Sequence, residues 1–158
     1  MEGNQNDAPK PVAFFDGWNI GPPDVVFELP TEFAVPATGT VDYQHFVIPT
    51  GFKQDKWVQF AEVRPGNRAA VHHVIAYIRE PGSKWLRDLK PGAPRGLKEG
   101  DVLPAGIVAG YAPGLPPTVL DETRGILVKA GSDLVVQMHY TATGKAVTDR
   151  TKIGLIFN

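Results

Sequence analysis

Apolar residues in this chain come in short runs, and most of the runs end at proline or glycine. DVVFELP is capped by Pro30, TVDYQHFVIP runs from Thr40 to Pro49, and DKWVQFAEVRP follows from Asp55. Each is rich in β-branched and aromatic residues between turn formers, the pattern of strands. PGNR at 65–68 reads as a tight turn, with proline ahead of glycine. The next run, AAVHHVIAYI over 69–78, is apolar on both faces, which predicts a strand in the middle of a core. Residues 80–104 are charged and broken by Pro and Gly; within them KWLRDL (84–89) is long enough for one or two helical turns. AGIVAGYAPGLPP reads as a short strand entering a Pro/Gly loop. RGILVKAGSDLVVQMHYTA reads as a hairpin turning at AGSD (130–133), TGKAVTDR as a loop, and TKIGLIFN as the last strand. Many short strands joined by turn chemistry predict an all-β sandwich or barrel with little helix.

Ahead of these runs, residues 1–12 read as a polar tail. Residues 13–23 (AFFDGWNIGPP) form an aromatic, Gly/Pro-rich lead-in, either packed on a domain edge or acting as a hinge. The expected organisation is thus a tail and lead-in over 1–23 and one β domain over 24–158. The length of 158 residues suits one domain with a real core. The 17 Gly and 15 Pro, about a fifth of the chain, disfavour long helices.

Charge narrows the function classes. The formal net charge is −1 and the Lys and Arg residues are scattered, so no basic field is built for nucleic acid or anionic lipid. No apolar run approaches the roughly 18 residues of a membrane span. The absence of cysteine excludes disulfides, thiolate metal sites and cysteine nucleophiles. The opening MEGNQNDAPKP lacks the apolar core of a signal peptide, and Met1 followed by a polar stretch fits either a natural start or a cut edge. The final IGLIFN stops at a strand end, which points to a domain excised from a longer chain.

The histidines carry the chemical signal: His45, His72, His73 and His139. His72 and His73 lie inside the most apolar strand, where a neutral imidazole needs partners for its ring nitrogens. Neighbours on a regular strand point to opposite faces, so a shared role for this pair predicts a bulge or strong twist at 72–73. In LVVQMHYTA, alternation places Leu134, Val136, Met138 and Tyr140 on one face. It places Val135, Gln137, His139 and Thr141 on a more polar one. Three histidines without a thiolate suit copper or zinc. His45 is either a fourth ligand or, as is commoner for a strand histidine, a solvent-facing residue. Met138 is expected in the core, Tyr77 and Tyr140 in the core or at its rim. Glu62 is expected at the surface, with a role orienting a histidine as the alternative.

RPGNRAAVHHVIAYI, followed by AGSDLVVQMHYTATGK and DRTKIGLIF, resembles the N-terminal copper domain of the type II, ascorbate-dependent copper monooxygenases. These are the peptidylglycine α-hydroxylating and dopamine β-monooxygenases; YQHFVIPTGFKQDKWVQFAEVRPGNR is similar to bacterial relatives. The resemblance covers roughly residues 24–158. It implies an eight-stranded antiparallel jelly-roll sandwich and one copper on His72, His73 and His139, cycling between Cu(I) and Cu(II) as an electron-transfer site. It further implies ascorbate or another reductant as electron donor, and a periplasmic or extracellular location. The family's second domain, which binds the oxygen-activating copper through an HxH pair and a Met, has no counterpart here. The partner would be that domain or another redox domain, and hydroxylation by this chain alone is not expected. The disulfides of the animal members are also absent.

Two rival readings come from other classes. One is a metal-free β-sandwich module that binds glycan or protein through Trp18, Trp57 and Trp85. The other is a zinc hydrolase using the same three histidines, with Glu62 as base.

Overall fold

The structure, a computed structural model, describes residues 17–96, 98, 106–121 and 123–158. Nearly every apolar run forms a strand, and no helix occurs among the described residues. In chain order these are β1 (Val25–Glu28), β2 (Phe33–Val35), β3 (Gln44–Pro49), β4 (Lys56–Arg64), β5 (Val71–Arg79) and β6 (Ile107–Tyr111). They are followed by β7 (Thr118–Val119), β8 (Ile126–Val128), β9 (Asp133–Tyr140), β10 (Val147–Asp149) and β11 (Lys152–Phe157). One sheet runs β1-β11-β4-β7, with β8 also paired to β4; a second runs β3-β9-β5-β6; β2 and β10 make a separate ribbon. All the pairings are antiparallel. The resemblance implied eight strands; eleven form among the described residues, the additional ones being very short. No helix among the described residues is long and apolar enough to cross a membrane.

The two larger sheets face each other across one apolar core. Phe27, Val58, Val63, Ile153 and Leu155 come from the first sheet, and Phe46, Val74, Val136, Met138 and Tyr140 from the second. The fold is therefore an antiparallel β-sandwich, as the turn-punctuated pattern predicted. Along β9 the alternation is regular: Leu134, Val136, Met138 and Tyr140 enter this core, whereas Val135 turns to the outer face. A smaller apolar cluster of Val47, Tyr77, Leu86, Leu89 and Val135 sits on that outer face, beneath residues 85–89.

Several local expectations fail for physical reasons. The 126–140 segment is not a hairpin. β8 pairs with β4 while β9 pairs with β3 and β5, so the AGSD turn carries the chain from one sheet to the other. Gly131 makes this turn at φ 74, and its N–H donates to Phe52 O at 3.0 Å. The TGKAVTDR stretch is not all loop, because Val147–Asp149 pair with Phe33–Val35. KWLRDL forms successive turns instead of helix. Leu86 has φ 48, which interrupts a right-handed helix, and burial of its side chain offsets the strain. Arg79 fixes the segment: its guanidinium donates to Leu86 O at 2.6 Å and pairs with Asp133 at 2.7 Å.

The lead-in is packed where it is described. Trp18 and Pro23 lie over Gly154, where an added Cβ would come within 2.8 Å of both. Asn19 and Ile20 bind Glu62. Of the three tryptophans proposed as an exposed platform, Trp57 alone is exposed, at 52%; Trp18 and Trp85 are half-buried.

One buried carboxylate ties the turn before β5 to the last two strands. Asp149 accepts hydrogen bonds from Asn67 N at 2.8 Å, Tyr140 OH at 3.0 Å and Thr151 Oγ1 at 2.8 Å. Against it, Gly66 approaches Arg150 so closely that a Cβ would lie 2.8 Å from its backbone nitrogen. Asp149→Ala strands three buried or half-buried donors and is expected to cost roughly 3 kcal/mol, measured by urea denaturation. A loss below about 1 kcal/mol would show that water or a neighbour replaces the carboxylate.

Candidate metal centre

The site begins with a spacing in β5. Val71, Val74, Ala76 and Ile78 all enter the main core. From Val74 onward they alternate as a strand requires, but Val71 and Val74 are three apart. Both can face inward only if one extra residue is inserted between them. The pairing with β9 shows it: Val71 pairs with Tyr140 and His73 with His139, leaving His72 as the extra residue. His72 and His73 consequently both face outward. This is the irregularity that the adjacent pair predicted.

His139 completes the group from the neighbouring strand. It is the cross-strand partner of His73 and lies on the outer face of β9 with Val135 and Gln137. The Nδ1 atoms of His72 and His73 are 3.1 Å apart, and those of His139 and His73 are 3.3 Å apart. One ligand nitrogen from each ring lies within 4.8 Å of the others, the one such metal-ligating group among the described residues. With metal–nitrogen bonds of about 2.0 Å, tetrahedral ligand nitrogens stand about 3.3 Å apart. The two Nδ1 separations match that spacing, and the three rings could hold a metal ion. The donor set is all imidazole, with no carboxylate in the group.

The setting favours the neutral form that a metal needs. Desolvation by burial, followed by the nearby His139 and then His72, lowers the pKa of His73 below 6.5. Desolvation, followed by His72, lowers that of His139. Both imidazoles therefore keep a lone pair at neutral pH. His72 is exposed, whereas His73 and His139 are half-buried. Tyr43 covers that half: its ring stacks on His139 at 4.6 Å between centroids and 23° between planes, and lies 5.5 Å from the ring of His73. Sequence reading missed Tyr43. Its signal was its place two residues before His45, which only the β3–β9 register converts into proximity to His139.

The remaining sequence candidates lie elsewhere. His45 is neither a ligand nor solvent-facing. It is 0% exposed, its Nε2 lies 2.9 Å from Gln137 Nε2, and its backbone N–H donates to Arg95 O. It faces outward beside Gln137, where Arg95 bridges to it from the loop after β5. Glu62 is 4% exposed and not at the surface. Its oxygens accept from Asn19 Nδ2 at 2.8 Å, Asn19 N at 2.6 Å and Ile20 N at 3.2 Å. It alternates with the core residues Ala61 and Val63, so it faces away from the sandwich on the other sheet. It neither orients a histidine nor stands ready as a base. Met138 is buried in the core as expected, and so are Tyr77 and Tyr140.

Comparison with known proteins finds no matching family model and no matching curated sequence.

The two lowered pKa values fix the sign of a pH effect. Imidazoles in the unfolded chain titrate near 6.5, above those of folded His73 and His139. Below 6.5 the unfolded state therefore binds more protons, so stability falls as pH falls. Metal-free protein is expected to lose stability between about pH 7 and about pH 5. The double variant His73→Asn, His139→Asn should lose less over the same interval. Urea midpoints at the two pH values check this, and equal losses would show that His73 and His139 do not contribute.

Proposed function

We propose that this chain is a mononuclear copper-binding domain of the electron-transfer type, with His72, His73 and His139 as its ligands. The observation that supports it is the gathering of one ligand nitrogen from each of three imidazoles within 4.8 Å on the outer face of the second sheet. Imidazole binds copper and zinc alike, so the choice between them rests on what surrounds the triad. Zinc hydrolysis needs a base poised at the metal-bound water, and the carboxylate considered for that part, Glu62, is engaged by Asn19 and Ile20. The likeness of the HHVIAYI and VVQMHY segments to ascorbate-dependent copper monooxygenases favours copper as well.

When bound, copper supplies one-electron redox chemistry between Cu(I) and Cu(II). The protein's part is to hold the ligands. His73 and His139 are set by a hydrogen-bonded strand pair, and His72 is turned to the same side by the bulge. Neutral imidazoles leave the net charge of the site to the ion, and the exposed edge at His72 gives a reductant such as ascorbate access. On this reading oxygen activation belongs to a separate domain carrying a second copper, so the chain by itself cycles electrons without hydroxylating a substrate. A periplasmic or extracellular setting suits such a site.

The test is titration of the metal-free protein with Cu(II), followed by EPR. Wild type should take up one equivalent with a nitrogen-rich type II spectrum that ascorbate abolishes. His139→Ala should weaken binding by more than about a hundredfold, beyond the usual effect of changing only an outer partner. Stoichiometric uptake of zinc but not copper, with hydrolytic activity, would favour the hydrolase. No stoichiometric uptake of either metal would leave the histidines as structural residues of a binding module.

A further inference from the structure

We infer that Tyr43 is a positioning residue of the metal centre: it orients the His73–His139 half and leaves the His72 edge as the side from which the ion is reached. This rests on the metal-binding reading above and adds a residue to it. Tyr43 stands one step beyond the Gln44–Met138 pair, so the β3–β9 register sets it opposite His139. Its ring is 40% exposed and belongs to neither apolar cluster. Among the described residues its aromatic contacts are His139 and His73. Core packing therefore does not account for where the ring lies.

Stacking has a directional consequence. The terminal torsion of a histidine is broad, so an imidazole on a half-exposed face samples many ring planes. A phenol ring lying 23° from parallel over His139 narrows that range and keeps its Nδ1 aimed at Nδ1 of His73, 3.3 Å away. Ordering a ligand before the ion arrives removes part of the entropy that binding would otherwise cost. The coverage is also one-sided. His72 packs edge-on against His73 and His139, at centroid distances of 5.4 Å and 5.0 Å, and it is exposed. A chelator or small anion therefore meets the ion at His72 and is screened at His139.

The experiment compares wild type, Tyr43→Ala and Tyr43→Phe, using Cu(II) alone as the probe. Three quantities are read: affinity, the rate of copper removal by excess chelator, and the EPR nitrogen hyperfine pattern. Tyr43→Ala should bind about tenfold more weakly, release copper correspondingly faster and show an altered spectrum. Tyr43→Phe, which keeps the ring, should restore all three. The melting temperature of the metal-free variants serves as control, and a half-exposed side chain outside the core should change it little. Unaltered affinity, release and spectrum in Tyr43→Ala would overturn the positioning role while leaving the histidine site intact. Equal loss in Tyr43→Ala and Tyr43→Phe would also overturn it, because the hydroxyl and not the ring would then matter. Failure of wild type to bind copper at the three histidines would overturn this inference together with the reading beneath it.

Discussion

A single inserted residue in β5 is the constraint on which the site depends. The core requires Val71 and Val74 on the same side, and two residues lie between them where a regular strand allows one. The ladder accommodates the excess by leaving His72 without a cross-strand partner. A regular strand would send one of the two histidines into the core, where an imidazole without a partner is costly. With the bulge, both leave the core together, and the same pairing that ends the irregularity sets His73 against His139. Core packing and the placement of the three histidines are thus consequences of one backbone feature. The bulge is in turn flanked by the Asn67 turn, held to Asp149, and by the Ala70–Thr141 hydrogen bond of 2.8 Å.

The outer face of the second sheet divides along its strands. At one end Val47, Val135 and Tyr77 meet Leu86 and Leu89 in a closed apolar cluster. At the other, His73, His139 and Tyr43 face partly open space. Between them lies the buried His45–Gln137 pair. The gradient from dry to wet along this face matches what the imidazoles experience. His73 and His139 are desolvated enough to shift toward the neutral form, yet exposed enough for an ion to reach them.

Legibility in the sequence followed the range of the interactions involved. Strands β1, β3 to β6, β8, β9 and β11 were visible because apolar runs and the turn residues that bound them are local signals, although β3 begins at Gln44 and not at Thr40. The bulge was visible because two adjacent histidines point to opposite faces of a regular strand and can share a role only where it is irregular. Partner choice was not visible. The AGSD turn has hairpin chemistry, and only the hydrogen-bonding edges offered by β4 on one side and by β3 and β5 on the other send its two arms to different sheets. The burial of His45 and Glu62 was hidden for a similar reason. Each lies on an outward face of its strand, and what covers it comes from far along the chain: Arg95 for His45, and Asn19 with Ile20 for Glu62. Tyr43 was missed because its place two residues before His45 says nothing about His139 until the β3–β9 register is known. Its significance comes from the strand beside it.

The three histidines are not equivalent, and the asymmetry bears on the proposed redox role. His73 and His139 face each other across a paired ladder, so their separation is fixed by the backbone hydrogen bonds of β5 and β9. His72 sits on the unpaired residue and is the exposed member of the three. Cu(I) accepts low coordination, while Cu(II) gains from additional donors such as water. A site that keeps two imidazoles on a rigid pair and presents its third at an open edge can meet both preferences with little change in the sheet. Small displacement between oxidation states is what an electron-transfer centre requires. In the proposed centre it would follow from having two of the histidines on the ladder and one on the bulge.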